Sequence, residues 1–237
     1  LIIFMWSGPR NLSTALMRSF ENRNDTEVYD EPFYAYYLSK TKLNHPMKEE
    51  IIKHYPVSQN KIINKITSET GKNKIFYQKH MTHHIIKNTR MGWIKKGYNC
   101  FLIRHPSKVI NSYIKKNILK NIDDIGFKKQ FEIFKDIKNQ KLKYTVINSD
   151  NILKNPNKLI RALCKDLNIR FTKKMLSWTS GKRDSDGIWS KVWYKNVEQS
   201  YTFASFKEDK KNIPKKYMNI YNEAIKYYDE MNKYSIR

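Results

Sequence analysis

The sequence predicts an α/β fold, a three-layer sandwich around a central, mostly parallel sheet of about five strands. Three observations carry this. Short apolar runs alternate with segments whose apolar residues recur every 3.6 positions, the signature of repeated strand–helix units. The runs are continuously apolar, as strands covered on both faces must be. Glycine and proline number seven each in 237 residues, so loops are few. Composition shifts nowhere along the chain, and residues 1–237 read as one domain.

The elements follow in order. Residues 1–6 (LIIFMW) form a buried strand that ends at SGPR. A helix follows, with Leu12, Leu16 and Phe20 at helical spacing and Ser13 or Thr14 in its first turn. Residues 26–30 are a second strand, and Pro32 sits just inside the start of the next helix. The polar stretch 47–70 is expected to be helical. Residues 75–79 and 100–105 give strands three and four, and Pro106 opens the helix after the fourth. The apolar period is clearest over 124–140, and 144–149 is the fifth strand. Asn155 caps a helix that has Pro156 at its first position. Residues 172–212 read as irregular, and 214–233 as a closing helix.

Composition narrows the class. Hydrophobic residues at 40% and charged residues at 29% exclude collagen-like, mucin-like and wholly disordered chains. No apolar run approaches the roughly 20 residues that cross a bilayer, so no membrane span is expected. Cys100 and Cys164 lie in apolar patterns and read as buried small hydrophobes, not a disulfide framework, which makes a cytoplasmic location the default expectation. The net charge of +24 favours anionic ligands by steering. Lysine is spread over every helix face, however, as in KKQFEIFKDIKNQKLK, so most of the excess reads as solvated surface and no specific nucleic-acid partner is inferred.

In a parallel sheet the ligand crevice lies beyond the carboxyl ends of the strands. The residues there are 7–14, 30–32, 79–84, 104–106 and Ser149. SGPRNLST passes from strand through turn to helix, where unpaired N–H groups and the helix dipole favour an anion. Arg10 adds a cationic fork, and Ser13 and Thr14 add hydroxyl donors. The order G-x-x-x-x-G-K-[ST] is absent, which argues against ordinary nucleoside-triphosphate chemistry. In FLIRHPSKVINSYIK, Arg104 ends a strand and Ser112 lies two turns into the next helix, so a basic group and a hydroxyl flank the turn. His80, His83 and His84 share a helical spacing, but no partner cluster completes a metal set, and no metal is inferred.

Taken together, these segments resemble the PAPS-dependent sulfotransferase superfamily, whose fold is P-loop NTPase-like. Its first strand–loop–helix, P-[KR]-S-G-[ST]-T, binds the 5′-phosphosulfate. Pro9, Arg10, Ser13 and Thr14 match it, while Asn11 and Leu12 depart from Ser-Gly. Its second element, R-x-P-x-x-x-x-x-S, binds the 3′-phosphate and is matched by Arg104, Pro106 and Ser112 at the same spacing. The run through DEPFYAYYL, YQKHMTHH and DGIWSKVWY is similar to a bacterial sulfotransferase-like subfamily, some members of which carry an aminotransferase-like label. The C-terminal R-K-G loop of the superfamily is not matched; Lys182, Arg183 or Lys191 are the stand-ins.

The resemblance implies an enzyme that moves a sulfuryl group from PAPS to a hydroxyl of a small molecule or glycan, releasing PAP, by in-line transfer with a general base and no metal. PAPS carries about four negative charges near neutral pH, so it needs two anion cradles: Ser7, Gly8, Pro9, Arg10, Asn11, Leu12, Ser13 and Thr14 for one, Arg104 and Ser112 for the other. Lys182 and Arg183 are added to the cofactor set. Arg10 also meets charge that develops on the leaving group. Two residues are candidates for the base: Glu31 in DEPFYA and His80 in YQKHM. Residues 181–195, rich in Trp and Lys, are expected to close over the adenine or the acceptor. The alternatives are a P-loop kinase, which should show the Walker lysine, and a basic nucleic-acid-binding protein, which should show a clustered basic face. The acceptor and the oligomeric state are not specified by these motifs.

Overall fold

A computed structural model describes residues 1–43, 45–68, 75–208 and 212–237. Five strands form one sheet: β1 (Ile2–Ser7), β2 (Thr26–Asp30), β3 (Ile75–Met81), β4 (Tyr98–Ile103) and β5 (Tyr144–Asn148). Their order is β2-β3-β1-β4-β5, and every pairing is parallel. The chain passes from β1 to the edge strand β2, returns to β3 beside β1, then crosses to β4 and β5 on the other side. The direction of winding therefore reverses between β1 and β4, and the crevice of such a sheet opens there.

Strand alternation divides the core in two. Phe4 and Trp6 of β1, with Phe101 and Ile103 of β4, face one helix layer; Ile3 and Met5, with Cys100 and Leu102, face the other. The first layer holds α5 (Pro106–Tyr113), α6 (Phe127–Asn139) and α11 (Met218–Asn232). The second holds α1 (Ser13–Glu21) and α8 (Pro156–Asp166). A smaller apolar cluster joins Tyr34, Ala35 and Leu38 of α2 (Tyr34–Lys40) to Trp189 and Tyr194. Cys100 and Cys164 are free and buried, one in each of a strand and a helix of the second layer.

Caps fix two of these helix starts, of which the sequence predicts the first. The Asn155 side chain accepts from the Lys158 N–H, with Pro156 at the first helical position. His105 does the same for Ser107 ahead of Pro106. Several boundaries differ from the sequence expectation: Pro32 lies ahead of α2, whose N-cap is Phe33, β3 runs past residue 79 to Met81, and β4 ends at Ile103, before Arg104. The stretch 47–70 is not one helix but two, α3 (Lys48–His54) and α4 (Gln59–Ile66), because Pro56 cannot continue the first; its residues 69–70 lie outside those described. The helix of the 124–140 pattern starts at Phe127, after a 3₁₀ turn (Ile122–Ile125) capped by Asn121 and ended by Gly126 at φ 70°. The irregular segment carries two short helices, α9 (Ser190–Trp193) and α10 (Lys195–Glu198), and its residues 209–211 lie outside the described residues. The last helix begins at Met218. Helix α7 (Ser149–Lys154) follows β5 directly. Among the described residues no helix is long and apolar enough to cross a membrane.

Candidate active site

The loop from β1 to α1 is held in a strained form. Arg10 (φ 65°) and Leu12 (φ 72°) both adopt left-handed backbone, each at a cost of about 1–3 kcal/mol. The strain is fixed by neighbours on both sides. Asn11 Nδ2 donates to Leu102 O (3.2 Å), and Ser149 Oγ donates to Asn11 O (2.7 Å). Ser7 Oγ donates to Met81 Sδ (3.7 Å), and Thr82 Oγ1 donates to Ser7 O (3.3 Å). Beneath the loop Gly8 lies so near the turn before α6 that a Cβ would stand 2.4 Å from Ile125 O; Gly126 in turn meets Thr82 and the Gly8 backbone. Ser7 and Asn11 thus shape the loop from below. Ser13 and Thr14 open α1, whose first N–H groups have no side-chain cap.

Arg10 Nε donates to Ser112 Oγ (2.8 Å), and Arg104 Nη1 donates to Arg10 O (2.9 Å). Residues from the end of β1, the end of β4 and the last turn of α5 therefore converge at the winding reversal. No carboxylate pairs with Arg10 among the described residues, and burial together with the neighbouring Arg104 charge lowers its pKa. Arg104 is shared with Asp150, whose Oδ1 lies 3.5 Å from Arg104 Nε and 3.2 Å from Lys108 Nζ. Arg104 Nε is buried without a hydrogen-bond partner. Two guanidinium groups, an uncapped helix start and a serine make a surface that an anion would complete.

Glu31 stands at the end of β2, also in left-handed backbone (φ 43°). Its N–H donates to Lys79 O (2.9 Å), and its Oε1 accepts from Lys79 Nζ (2.6 Å). Lys79 Nζ also donates to Asp30 Oδ1 (2.9 Å) and to Tyr194 Oη (2.5 Å). Asp30 Oδ2 accepts from Tyr194 Oη (2.6 Å), Trp189 Nε1 (3.1 Å) and the Gly187 N–H (3.4 Å). Burial pushes the Glu31 carboxyl up to about 7; Asp30 adds to this and Lys79 opposes it. Burial opposes the charge on Lys79, yet the Asp30 and Glu31 carboxylates outweigh it and hold its pKa well above the ordinary value.

His80 and Lys79 are neighbours in sequence but face opposite layers. β3 runs on to Met81, so His80 is a strand-interior residue. Its ring packs against Trp6, Phe33 and Trp93, and Nε2 pairs with Gln78 Oε1 (3.1 Å). Burial drives its pKa down to about 3. His83 and His84 lie in a 3₁₀ turn (Thr82–His84), so the three histidines do not share a helix face. His84 stacks on Tyr34 with centroids 4.4 Å apart, and its Nδ1 is 3.8 Å from Glu31 Oε2.

The segment expected to form a lid lies across these elements. Besides Trp189 and Tyr194, it is fixed by Arg18 of α1, whose Nη2 donates to Asp186 Oδ2 (2.6 Å). Arg183 is not brought to the loop: it donates to Thr179 O (2.7 Å) and lies 3.9 Å from Glu21 at the far end of α1. Lys182 and Lys191 are exposed. Sequence reasoning set Asp30, Lys79 and His84 at strand ends and Tyr194 in the lid segment, but missed that the four meet around Glu31. A lysine inside the apolar strand IFYQKHM was a usable signal, since a buried ammonium needs a carboxylate partner.

The winding reversal and the strained strand–loop–helix at its mouth define a doubly wound α/β protein of the P-loop-like class. The profile of the family described as "Sulfotransferase domain" matches residues 1–235, and the chain belongs to that family. It is 31% identical over 228 residues to branched-chain-amino-acid aminotransferase-like protein 1 of Arabidopsis thaliana, and 29% identical to protein 2 of that name. The match covers 96% of this chain and 41% of each relative, so the chain spans about two fifths of their length. The fold is similar to three solved structures. The sulfotransferase domain of the Synechococcus PCC 7002 olefin synthase gives a TM-score of 0.63 at 15% identity, covering all of this chain and 95% of that one. A sulfotransferase from Alicyclobacillus acidocaldarius gives 0.59 at 8% identity, covering 99% and 96%. The sulfotransferase domain of the curacin biosynthetic pathway gives 0.56 at 16% identity, covering 94% and 96%.

Proposed function

We propose that the chain is a PAPS-dependent sulfotransferase that modifies a hydroxyl of a small molecule or glycan. One observation carries this reading: a cationic grip without a carboxylate at Arg10 and a buried carboxyl at Glu31 stand at the same edge of the sheet, at the ends of β1 and β2 with β3 between them. Glu31 follows β2, Lys79 ends β3, Arg10 follows β1 and Arg104 follows β4. At about 4.8 Å between strands, the base and the Arg104 grip stand roughly 14 Å apart across the loop. That separation suits a nucleotide held at one end and attacked at the other.

The residues present fit the donor. The N–H groups of α1, with Ser13, Thr14 and Arg10, would hold its 5′ anion. Arg104 and Ser112 would hold its 3′-phosphate, which would compete with Asp150 for the Arg104 guanidinium. PAPS supplies the sulfuryl group and leaves as PAP. Arg10 stands fixed by Ser112 before any ligand arrives, so little reorganisation is needed when charge develops beside it. Glu31 accepts the acceptor's hydroxyl proton; a carboxyl that titrates near 7 is matched to that work at neutral pH. His80 is the weaker base, because its ring is enclosed by aromatic side chains and its basicity is lost to burial.

The test is thermal unfolding with and without PAP. At 100 times Kd a ligand of the folded state adds about 2.7 kcal/mol, so PAP should raise Tm by several degrees and ATP with magnesium by less. Glu31→Gln should keep that shift while losing sulfate transfer from PAPS in a screen of hydroxylated metabolites. No shift with PAP rejects the donor; full activity in Glu31→Gln rejects the base.

A further inference from the structure

Glu31 is held more elaborately than a proton acceptor requires. Only Oε1 is engaged, by Lys79 at 2.6 Å, with Tyr194 Oη at 3.5 Å. Oε2 makes no hydrogen bond among the described residues; its near neighbour is His84 Nδ1 at 3.8 Å, itself buried and unpartnered. Lys79 is not free to swing away. Asp30 Oδ1 and Tyr194 Oη hold it from two further directions, and Asp30 is fixed at its other oxygen by Trp189, Tyr194 and Gly187. The main chain repeats the tie, Glu31 N–H to Lys79 O.

We propose that Lys79 and Asp30 are a positioning pair for Glu31: Asp30 fixes Lys79, Lys79 anchors Oε1, and Oε2 is thereby the oxygen offered to the acceptor's proton. The inference rests on Glu31 being the base. The groups that face Glu31 are Asp30 from β2, Lys79 from β3, Tyr34 from α2, His84 from the turn after β3 and Tyr194 after α9. Burial keeps both phenols protonated and His84 neutral. Lys79 is therefore the cation set against two carboxylates, and it governs both the orientation of Glu31 and the pH at which Glu31 ionises.

The experiment is a carbon-13 NMR titration of protein labelled at its glutamate side-chain carboxyls, with the Glu31 resonance identified as the one missing in Glu31→Gln. Asp30→Asn should lower the Glu31 midpoint below the wild-type value. Lys79→Met should raise it by a unit or more. The double variant Asp30→Asn/Lys79→Met leaves no unpaired charge at either position, so it keeps the test open if Lys79→Met does not fold. Its midpoint should lie between those of wild type and Lys79→Met. A residue that only supports the fold would not produce this order. A double-variant midpoint at or below wild type overturns the positioning pair. Calorimetric binding of PAP to the same samples separates the two readings: loss of PAP binding in the wild type rejects the donor, while the order of midpoints still decides the role of Lys79.

Discussion

The two ends of the site solve opposite electrostatic problems. Around Arg10 and Arg104, cations gather with one carboxylate, Asp150, at the margin. Around Glu31, one buried ammonium faces two carboxylates and donors close the valences of Asp30, leaving Glu31 Oε2 open. The first region is completed only by charge from outside, whereas the second is nearly complete in itself. A ligand should therefore bind through the first and be acted on by the second, and substitutions in the two should fail differently.

The largest contrast is expected at Arg10. Arg10→Ala removes the fixed cation and should lower transfer by about 10²–10³-fold, the loss typical of one transition-state donor, with little change in Tm without ligand. A fall in Tm as large as that of a core substitution would erase the distinction between the regions. Acid stability is next and belongs to neither end of the site but to the buried histidines behind it. His80 and His83 titrate near 3 in the fold, because burial penalises their charged forms. In the unfolded chain they take up protons near 6.5, so the unfolded state holds more protons between those limits and stability falls as pH drops from about 6.5 to 3. Each contributes a slope of about 1.4 kcal/mol per pH unit. His80→Leu should flatten the fall of Tm with acid, whereas Arg10→Ala should not.

Smaller effects are expected at the second cradle. Arg104→Ala should weaken PAP binding about tenfold, the worth of one charge-assisted contact. Asp150→Asn should tighten it by a few fold, since Asp150 competes for Arg104 and Lys108. Calorimetry reads both; unchanged PAP affinity in Arg104→Ala would remove the 3′-phosphate assignment.

Much of this fold was legible because parallel strands buried on both faces are written as apolar runs, and each is followed by a helical period. Pro106 and Pro156 marked helix starts, and Asn155 a cap, through local chemistry alone. The loop 7–14 and Arg104 could be picked out because strand ends are where ligands meet such sheets. What sequence could not supply was depth and distance. His80 looks like a strand-end residue until β3 is seen to continue to Met81, which turns its ring into the core. The Lys79–Tyr194 contact joins residues 115 apart, and no local period encodes such a meeting. Likewise Arg183 reads as a spare cation until Thr179 and Glu21 are found to hold it.

Gly8 and Gly126 meet with backbone against backbone. Thr82 Oγ1 ties them further, donating to Ser7 O (3.3 Å) and Gly126 O (3.0 Å), so a displacement at the start of α6 is felt by the Arg10 loop. A change of sequence at the start of α6 or in the turn after β3 should therefore reach the Arg10 loop without touching Arg10 itself. On the α2 and Trp189 side the joint is made instead by packed side chains, Tyr34, Leu38, Trp189 and Tyr194, where a change of residue can be met by repacking.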